Sequence, residues 1–270
     1  METRPLGTGR ERIPVVGFRT WKVLDVRGTE AEGRARKVVE ATYGAGVRVF
    51  DSSPMYGEAE RVLGAAVRPF REDVFVATKV WAQTEEEAER QIRRSLAFFG
   101  GRIELYQVHN LRLLRYLLPR LRRLRAEGTV RYVGVTHYEP RSFPELARIL
   151  REEALDVVQL PLHPAARQAE DQLLPIAEER GLGVLVMQPL GTGGLLTGRE
   201  GPLPAPVAAL GCRTWAQLAL KWTLSDPRVT AVLPATRRID HAVENAVAGD
   251  GPWLSPELRA EVARRWGDPG

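Results

Sequence analysis

The stretch Val74-Phe75-Val76-Ala77-Thr78-Lys79 decides the fold of this chain, because it is a short apolar run closed by a lysine. A continuous apolar run of this length is typical of a strand that is buried on both faces. The strand Val47–Phe50 before it runs into Asp51, and the strand Ile103–Val108 after it runs into His109. Three successive buried strands are therefore predicted, each followed by a titratable side chain.

Apolar strands and amphipathic helices alternate along the rest of the chain with short connections. The predicted strands are Val15–Gly17, Val47–Phe50, Val74–Thr78, Ile103–Val108, Val130–Val135, Val157–Leu160, Val184–Met187 and Val229–Leu233. The predicted helices are Glu30–Tyr43, Glu58–Arg68, Thr84–Phe99, Arg115–Glu127, Phe143–Glu152, Glu170–Arg180, Thr214–Leu224 and His241–Ala248, with a closing helix at Pro256 to Trp266. This repetition, without a signal for an antiparallel hairpin, predicts an eight-stranded parallel (β/α)8 TIM barrel.

A doubly wound sheet is the main alternative to a barrel. It would require a glycine-rich nucleotide-binding turn after an early strand, and no Gly-x-Gly-x-x-Gly occurs in the sequence. Because the alternation never pauses for a linker, we expect residues 1–270 to form a single domain. The stretch Gly191 to Gly211, rich in Gly and Pro, is predicted to be a long loop after the seventh strand.

Composition excludes several classes of protein. The chain has a net charge of +5 and a pI of about 9.6, but its basic residues are mixed with glutamates, as expected for solvated helix faces rather than a nucleic-acid surface. The single cysteine, Cys212, excludes an intramolecular disulfide. We find no signal-peptide pattern at Met1 to Pro5 and no run near the roughly 18 apolar residues of a membrane helix. We expect a cytoplasmic monomer or small homo-oligomer with no nucleic-acid or membrane partner.

The titratable residues at the strand ends predict proton-transfer chemistry. In a parallel barrel the carboxyl ends of the strands meet on one face, which brings Asp51, Lys79 and His109 together with Tyr56, a short turn past Asp51. A buried Lys79 ammonium needs a counter-charge, which Asp51 supplies, and it stabilises the phenolate of a nearby tyrosine. Tyr56 then serves as a proton donor to a carbonyl oxygen that also accepts a hydrogen bond from His109. The hydride must come from a cofactor, because no side chain carries one.

Each of these residues, taken singly, is also typical of a solvated rim or an ordinary turn. Their joint appearance in register resembles the aldo-keto reductases over nearly the whole chain. The matching motifs are Gly17-Phe18-Arg19-Thr20-Trp21, Asp51-Ser52-Ser53-Pro54-Met55-Tyr56-Gly57, Thr78-Lys79, His109, Gly134-Val135-Thr136-His137, Leu233-Pro234-Ala235-Thr236 and Glu244-Asn245. The resemblance implies NAD(P)H-dependent reduction of a small aldehyde or ketone to an alcohol. The alternative is a non-catalytic regulatory protein that senses the cofactor on the same scaffold.

The resemblance also implies a set of residues that bind the cofactor. Those near the nicotinamide end are Thr20, Trp21, Thr136, His137, Gln159 and Met187, and those along the pyrophosphate are Pro189, Leu190, Gly191 and Gly194. The adenosine end is assigned to Thr236, Arg237, Arg238, His241, Glu244 and Asn245. Because Arg237 and Arg238 suit a ribose 2′-phosphate beside a helix N-terminus, NADPH is favoured, with NADH possible.

The chain departs from the family pattern at several positions, and the substrate is not specified. Arg19 replaces the second glycine of the first-strand motif, and Met187 stands where many members have a tyrosine. The substrate pocket is predicted to be lined by Trp21, Met55, Trp81 and Asn110. No metal site is expected, since the four histidines, at positions 109, 137, 163 and 241, include no His-x-His pair.

Overall fold

The computed structural model describes residues 1–9, 11–199 and 201–267. Within these residues the strands are β1 (Thr3–Pro5), β2 (Arg12–Pro14), β3 (Phe18–Arg19), β4 (Val49–Asp51), β5 (Phe75–Val80), β6 (Ile103–His109), β7 (Val130–Thr136), β8 (Val157–Pro161), β9 (Gly183–Met187) and β10 (Ala231–Leu233). Strands β3 to β10 form an eight-stranded sheet in chain order, and each neighbouring pair is parallel.

Backbone hydrogen bonds between the first and last strands close this sheet into a barrel. The N–H of Gly17 donates to the carbonyl of Val232 at 2.8 Å, and that of Arg19 donates to the carbonyl of Pro234 at 2.9 Å. The predicted (β/α)8 barrel is therefore confirmed. The predicted first strand, Val15–Gly17, lies just before β3. Its residues pair with β10 only through a single bridge between Val16 and Val232, so they are not part of β3.

The helices between the strands follow the predicted pattern, except that one predicted helix is divided into two. They are α1 (Thr29–Gly44), α2 (Ala59–Val67), α3 (Glu85–Phe98), α4 (Leu114–Ala126), α5 (Phe143–Glu152), α6 (Gln168–Gln172), α7 (Leu174–Glu179), α8 (Ala205–Ala208), α9 (Trp215–Leu224), α10 (Ile239–Val247) and α11 (Pro256–Gly267). The single helix predicted over Glu170–Arg180 is divided into α6 and α7. Pro175, in the first turn of α7, has no N–H to continue the ladder of α6.

An antiparallel hairpin of β1 and β2, which no sequence pattern predicts, precedes the barrel. Each strand has only three residues and ends in a proline, so neither shows the alternation that identifies longer strands. Leu6 and Ile13 of this hairpin pack inside the barrel with residues such as Phe75 and Leu105. The hairpin therefore fills the end of the barrel opposite the strand C-termini.

Alternation along the strands separates an apolar interior from a polar rim. Alternate residues of a strand share one face, so Phe75, Ala77 and Lys79 of β5 all point into the barrel. Phe75 and Ala77 belong to the apolar inner cluster. Lys79, one step further along, is instead part of a buried polar layer near the strand C-termini.

The loop predicted over Gly191 to Gly211 follows β9 and contains a 3-10 segment, Gly191–Leu196, and the short helix α8. Glu200, inside this loop, lies outside the described residues. Over the part of the chain that the structure describes, none of the helices has the length and apolar character needed to cross a membrane.

Candidate active site

A fully buried ion pair forms the floor of the site. Lys79 Nζ lies 2.6 Å from Asp51 Oδ1 and also donates to the carbonyl of Ser52 at 2.8 Å. Both charged side chains are inaccessible to solvent. Each charge therefore depends on the other, because an unpaired ion would lose its hydration without compensation.

Tyr56 lies beside this pair at the end of a 3-10 turn, Pro54–Tyr56, that is capped by Ser53. Its hydroxyl accepts hydrogen bonds from Arg19 Nη2 at 2.6 Å and from Arg19 Nε at 3.2 Å. Lys79 Nζ lies 5.5 Å from the centroid of the Tyr56 ring. Among the described side chains, Arg19 rather than Lys79 is hydrogen-bonded to the hydroxyl.

His109 completes the group from the end of β6. Its ring is edge-on to that of Tyr56, with centroids 6.0 Å apart, and its Nδ1 is 2.9 Å from the Ser53 hydroxyl. Burial, and then the positive charges of Lys79 and Arg19, hold the pKa of His109 well below its usual value of 6.5. The ring is therefore neutral at neutral pH.

The structure thus brings Asp51, Tyr56, Lys79 and His109 together, and it adds Arg19, which sequence reasoning noted only as a departure from a motif. Arg19 is 6% exposed, and its Nε lies 3.8 Å from Asp51 Oδ2. The only sequence signal for its role was a charged residue at the end of a buried first strand. Its contact with Tyr56, 37 residues away, is a tertiary feature.

A cavity of about 630 Å³ lies next to Arg19. The predicted cofactor-binding residues that line it are Trp21, Pro189, Leu190, Thr236, His241, Glu244 and Asn245. Gly191 and Gly194 lie in the same 3-10 segment as the lining residues Thr192 and Gly193. A trough with these walls extends from Arg19 to the start of α10.

The residues predicted for the nicotinamide end are mostly buried at the strand C-termini. Thr136 and Gln159 are partners across β7 and β8, and Met187 is the last residue of β9. The polar side-chain atoms of Thr136 and Gln159 are buried without hydrogen-bond partners among the described residues. Thr20 is also buried, and its hydroxyl donates to Ser52 Oγ at 2.8 Å.

His137 follows β7, outside the walls of the cavity. Its N–H donates to the carbonyl of Gln159 at 3.3 Å, and its ring stacks on that of Tyr138. Partial burial lowers the pKa of His137.

The arginines predicted for a 2′-phosphate have other partners. Arg237 donates through Nη2 to the carbonyl of Lys22 at 2.6 Å, and Arg238 forms an ion pair with Asp240 at 2.5 Å. Neither lines the large cavity, whereas Arg213 and Arg199 do. Arg213 precedes the N-cap of α9, a position that carries no recognisable sequence signal for a binding site.

Three residues predicted for the substrate pocket lie on loops past strand ends and outside the walls of the large cavity. Met55 is exposed, and the Trp81 ring has the Arg112 guanidinium 4.7 Å from its centroid. Asn110 has a positive φ of 52° and a buried Oδ1 without a hydrogen-bond partner in the described part of the chain. A non-glycine residue held in this conformation stores strain, as is common beside functional sites.

A (β/α)8 barrel with a buried Asp–Lys pair, a tyrosine and a neutral histidine below a long trough defines an enzyme of the oxidoreductase class. In the described residues no group of three His, Cys, Asp or Glu side chains could hold a metal ion. The sequence profile of the Aldo/keto reductase family matches residues 16–262. The chain belongs to the aldo/keto reductase family.

Curated relatives and solved structures agree with this membership. The chain is 26% identical to an L-galactose dehydrogenase of Arabidopsis thaliana, with 92% of this chain and 88% of the relative aligned. It is 28% identical to the methylglyoxal reductase YeaE of Escherichia coli, over 93% of this chain and 90% of the relative. An aldo-keto reductase from Klebsiella pneumoniae, solved in complex with NADPH, superposes with a TM-score of 0.83 at 27% identity, covering 100% of this chain and 97% of that one.

Proposed function

We propose that this protein reduces aldehydes or ketones to alcohols with NAD(P)H, and that NADPH is the preferred cofactor. The observation that carries the proposal is the Tyr56 hydroxyl, which is hydrogen-bonded to a buried cation beside the Asp51–Lys79 pair and a neutral His109. Relatives named as a reductase and a dehydrogenase, and a solved neighbour in complex with NADPH, support this reaction class.

The cofactor assignment is supported by polar atoms that lack partners within the described chain. The Gln159 amide oxygen and nitrogen and the Thr136 hydroxyl are buried and unpaired, and they suit a carboxamide, which both donates and accepts hydrogen bonds. The cavity that extends from Arg19 to the start of α10 has a volume of about 630 Å³, within the usual range for ligand sites. When bound, NADPH supplies the hydride.

The residues of the chain supply the proton and hold the carbonyl. Both acceptor positions of the Tyr56 hydroxyl face Arg19, so its hydrogen is left to donate to the substrate oxygen. The Ser53 hydroxyl accepts from the N–H of Met55 and lies 2.9 Å from His109 Nδ1, and in the proposed mechanism it donates its own hydrogen to that nitrogen. The neutral ring then keeps its proton on Nε2 and donates a second hydrogen bond to the same oxygen.

Replacing Tyr56 tests this proposal. Tyr56→Phe removes the hydroxyl with little change of volume, so we expect carbonyl reduction to fall about 10²–10⁴-fold, as is typical when a general acid is lost. NADPH consumption would be followed with a panel of simple aldehydes. Tyr43→Phe is the matched control, because that hydroxyl bonds to Asp73 on the outside of the barrel. Reduction by Tyr56→Phe within a few-fold of the parent would contradict the assignment.

The same assay separates an enzyme from a cofactor-sensing regulatory protein. A sensor would bind NADPH and consume none with any carbonyl. The intact group of Asp51, Tyr56, Lys79 and His109 favours the enzyme, since binding alone requires none of them.

A further inference from the structure

Arg19 introduces a positive charge that the buried site does not fully balance. Lys79 and Arg19 are both cationic, and His109 is neutral. Asp51 is the carboxylate that pairs with each of them, at 2.6 Å from Lys79 and at 3.8 Å from Arg19. Burying a charge without full compensation is unfavourable, so this site is electrostatically prepared for an anion.

We propose that Arg19 binds the carboxylate of an anionic substrate, and that the preferred substrates are 2-oxo carboxylates. The proposal rests on the proposed function, since it names the substrate class of that reductase. The product would be the corresponding 2-hydroxy carboxylate.

The hydrogen bonds of Arg19 leave a donor for this carboxylate. Nε and Nη2 donate to the Tyr56 hydroxyl, while Nη1 has no acceptor among the described residues. Arg19 also lines the large cavity, so the guanidinium reaches both the proton donor and open space. A planar guanidinium is the side chain best suited to a carboxylate.

The spacing of the two polar groups matches one substrate class. Arg19 Nη2 and the Tyr56 oxygen are 2.6 Å apart. In a 2-oxo carboxylate the ketone oxygen and a carboxylate oxygen are on adjacent carbons, and they lie about one hydrogen-bond length apart. Nη2 has a second hydrogen besides the one that it donates to Tyr56, so the ketone oxygen can accept from Tyr56 while the carboxylate accepts from Nη2 or from the free Nη1 of Arg19.

The reaction balances without any further reactant. A hydride from NADPH forms the new C–H bond at the ketone carbon, which is reduced while the cofactor is oxidised. The carbonyl π bond breaks, and its oxygen takes the proton of Tyr56. The carboxylate remains unchanged, and Arg19 stabilises the Tyr56 phenolate until solvent returns a proton.

A pair of substrates tests the proposal: phenylglyoxylate and its methyl ester, which differ mainly in charge. We expect the parent protein to reduce the acid with the higher kcat/KM. Arg19→Met should lower kcat/KM for the acid tenfold to a hundredfold more than it lowers kcat/KM for the ester. This is the size expected when one charge-assisted hydrogen bond is lost, at about tenfold per 1.4 kcal/mol. Arg19→Lys keeps the charge and should retain part of the preference. Arg112→Met removes the guanidinium that lies 4.7 Å from the Trp81 ring centroid, and it should leave the ratio of the two kcat/KM values unchanged.

A binding measurement keeps the test independent of turnover. Phenylglyoxylate is titrated into each protein saturated with NADP⁺. It should bind at least tenfold more tightly to the parent than to Arg19→Met. Thermal denaturation checks that Arg19→Met is folded. If the parent reduces the ester and the acid equally well, and Arg19→Met does the same, this inference is overturned and the proposed function stands. Failure of the parent to reduce either compound or any simple aldehyde would instead reject the proposed function. Loss of the acid preference in Arg112→Met but not in Arg19→Met would assign the carboxylate to Arg112.

Discussion

At the scale of single residues, the tyrosine has two cations nearby that act differently. Arg19 contacts the Tyr56 hydroxyl directly, at 2.6 Å. Lys79 gives its hydrogen bonds to Asp51 and to the Ser52 carbonyl, and lies 5.5 Å from the ring centroid of Tyr56. In the proposed mechanism, we expect Lys79 to act on the phenolate through its field and Arg19 also to fix the direction of the hydroxyl hydrogen.

Replacing Lys79 should separate chemistry from cofactor binding. We expect Lys79→Met to abolish carbonyl reduction and to leave the affinity for NADPH, measured by fluorescence titration, within a few-fold of the parent. Asp51→Asn should be damaging but less so, because the charge on Lys79 remains. A Lys79→Met protein that folds but does not bind NADPH would refute this division of roles.

The control for that experiment concerns stability. Lys79→Met alone leaves Asp51 buried without its closest partner, which should cost about 3–5 kcal/mol of unfolding free energy. The double variant Lys79→Met with Asp51→Asn removes both charges and should recover much of that loss. Its activity should stay absent, whereas recovery of activity together with stability would mean that the ion pair is purely structural.

At the scale of elements, the loop before α9 and the start of α10 bound the far end of the cavity. Arg237 and Arg238 precede α10, but they donate to the Lys22 carbonyl and to Asp240. Arg213 lines the cavity beside Thr214, whose hydroxyl donates to Glu244 at 2.6 Å. Two neighbouring elements thus present different arginines for a 2′-phosphate.

Cofactor affinity should distinguish these arginines. Arg213→Ala should weaken NADPH binding about tenfold or more and leave NADH nearly unchanged, as expected for one charge-assisted contact of about 1.5–3 kcal/mol. Replacing Arg237 and Arg238 together should have a smaller effect, because their guanidinium groups already have acceptors. Fluorescence titration with both cofactors measures this. A larger loss in the double variant would favour Arg237 and Arg238 as the 2′-phosphate ligands. Equal binding of NADH and NADPH by the parent would rule out a 2′-phosphate contact by either set of arginines.

The elements also show where sequence reasoning was sufficient and where it failed. Strands such as β5 and β6 could be predicted because a buried parallel strand is a local apolar run. The hairpin of β1 and β2 could not, because three residues are too few to show a period. The division of α6 from α7 follows from Pro175, which has no N–H and therefore interrupts an otherwise continuous helical pattern.

At the scale of the whole molecule, a buried carboxyl group joins the helical layer to the barrel. Glu60 of α2 is 1% exposed, and its Oε1 accepts hydrogen bonds from Thr78 of β5 at 2.6 Å and from Ser95 of α3 at 2.8 Å. Burial raises the pKa of Glu60 from 4.5 to about 7, although both hydroxyl groups act in the opposite direction. The protonated form of Glu60 is therefore the one that the fold prefers.

This cluster should make global stability depend on pH. The folded pKa of Glu60 is raised, so its stabilising contribution is complete below about pH 4.5 and is lost as pH rises through about 7. Glu60→Gln keeps an oxygen for both hydroxyl groups and cannot ionise. We expect it to increase the free energy of unfolding at pH 8 by on the order of 3 kcal/mol, and to change it much less at pH 5.

Denaturant unfolding at the two pH values would measure this effect. Glu85→Gln makes the same chemical change at an exposed position of α3 and should alter stability little at either pH. An equal change for Glu60→Gln at pH 5 and pH 8 would mean that Glu60 is not protonated in the folded protein near neutral pH.

The sequence alone determined the barrel and the places where Asp51, Tyr56, Lys79 and His109 would meet. Both depend on local patterns, because the period of a strand fixes which residues point inward and the parallel order fixes which ends meet.

Only the tertiary structure decided which groups touch within that site. Arg19 reaches Tyr56 across 37 residues of chain, and Arg213 rather than Arg237 lines the cavity. Such contacts depend on side-chain directions and on loops from distant parts of the chain, which no local pattern encodes.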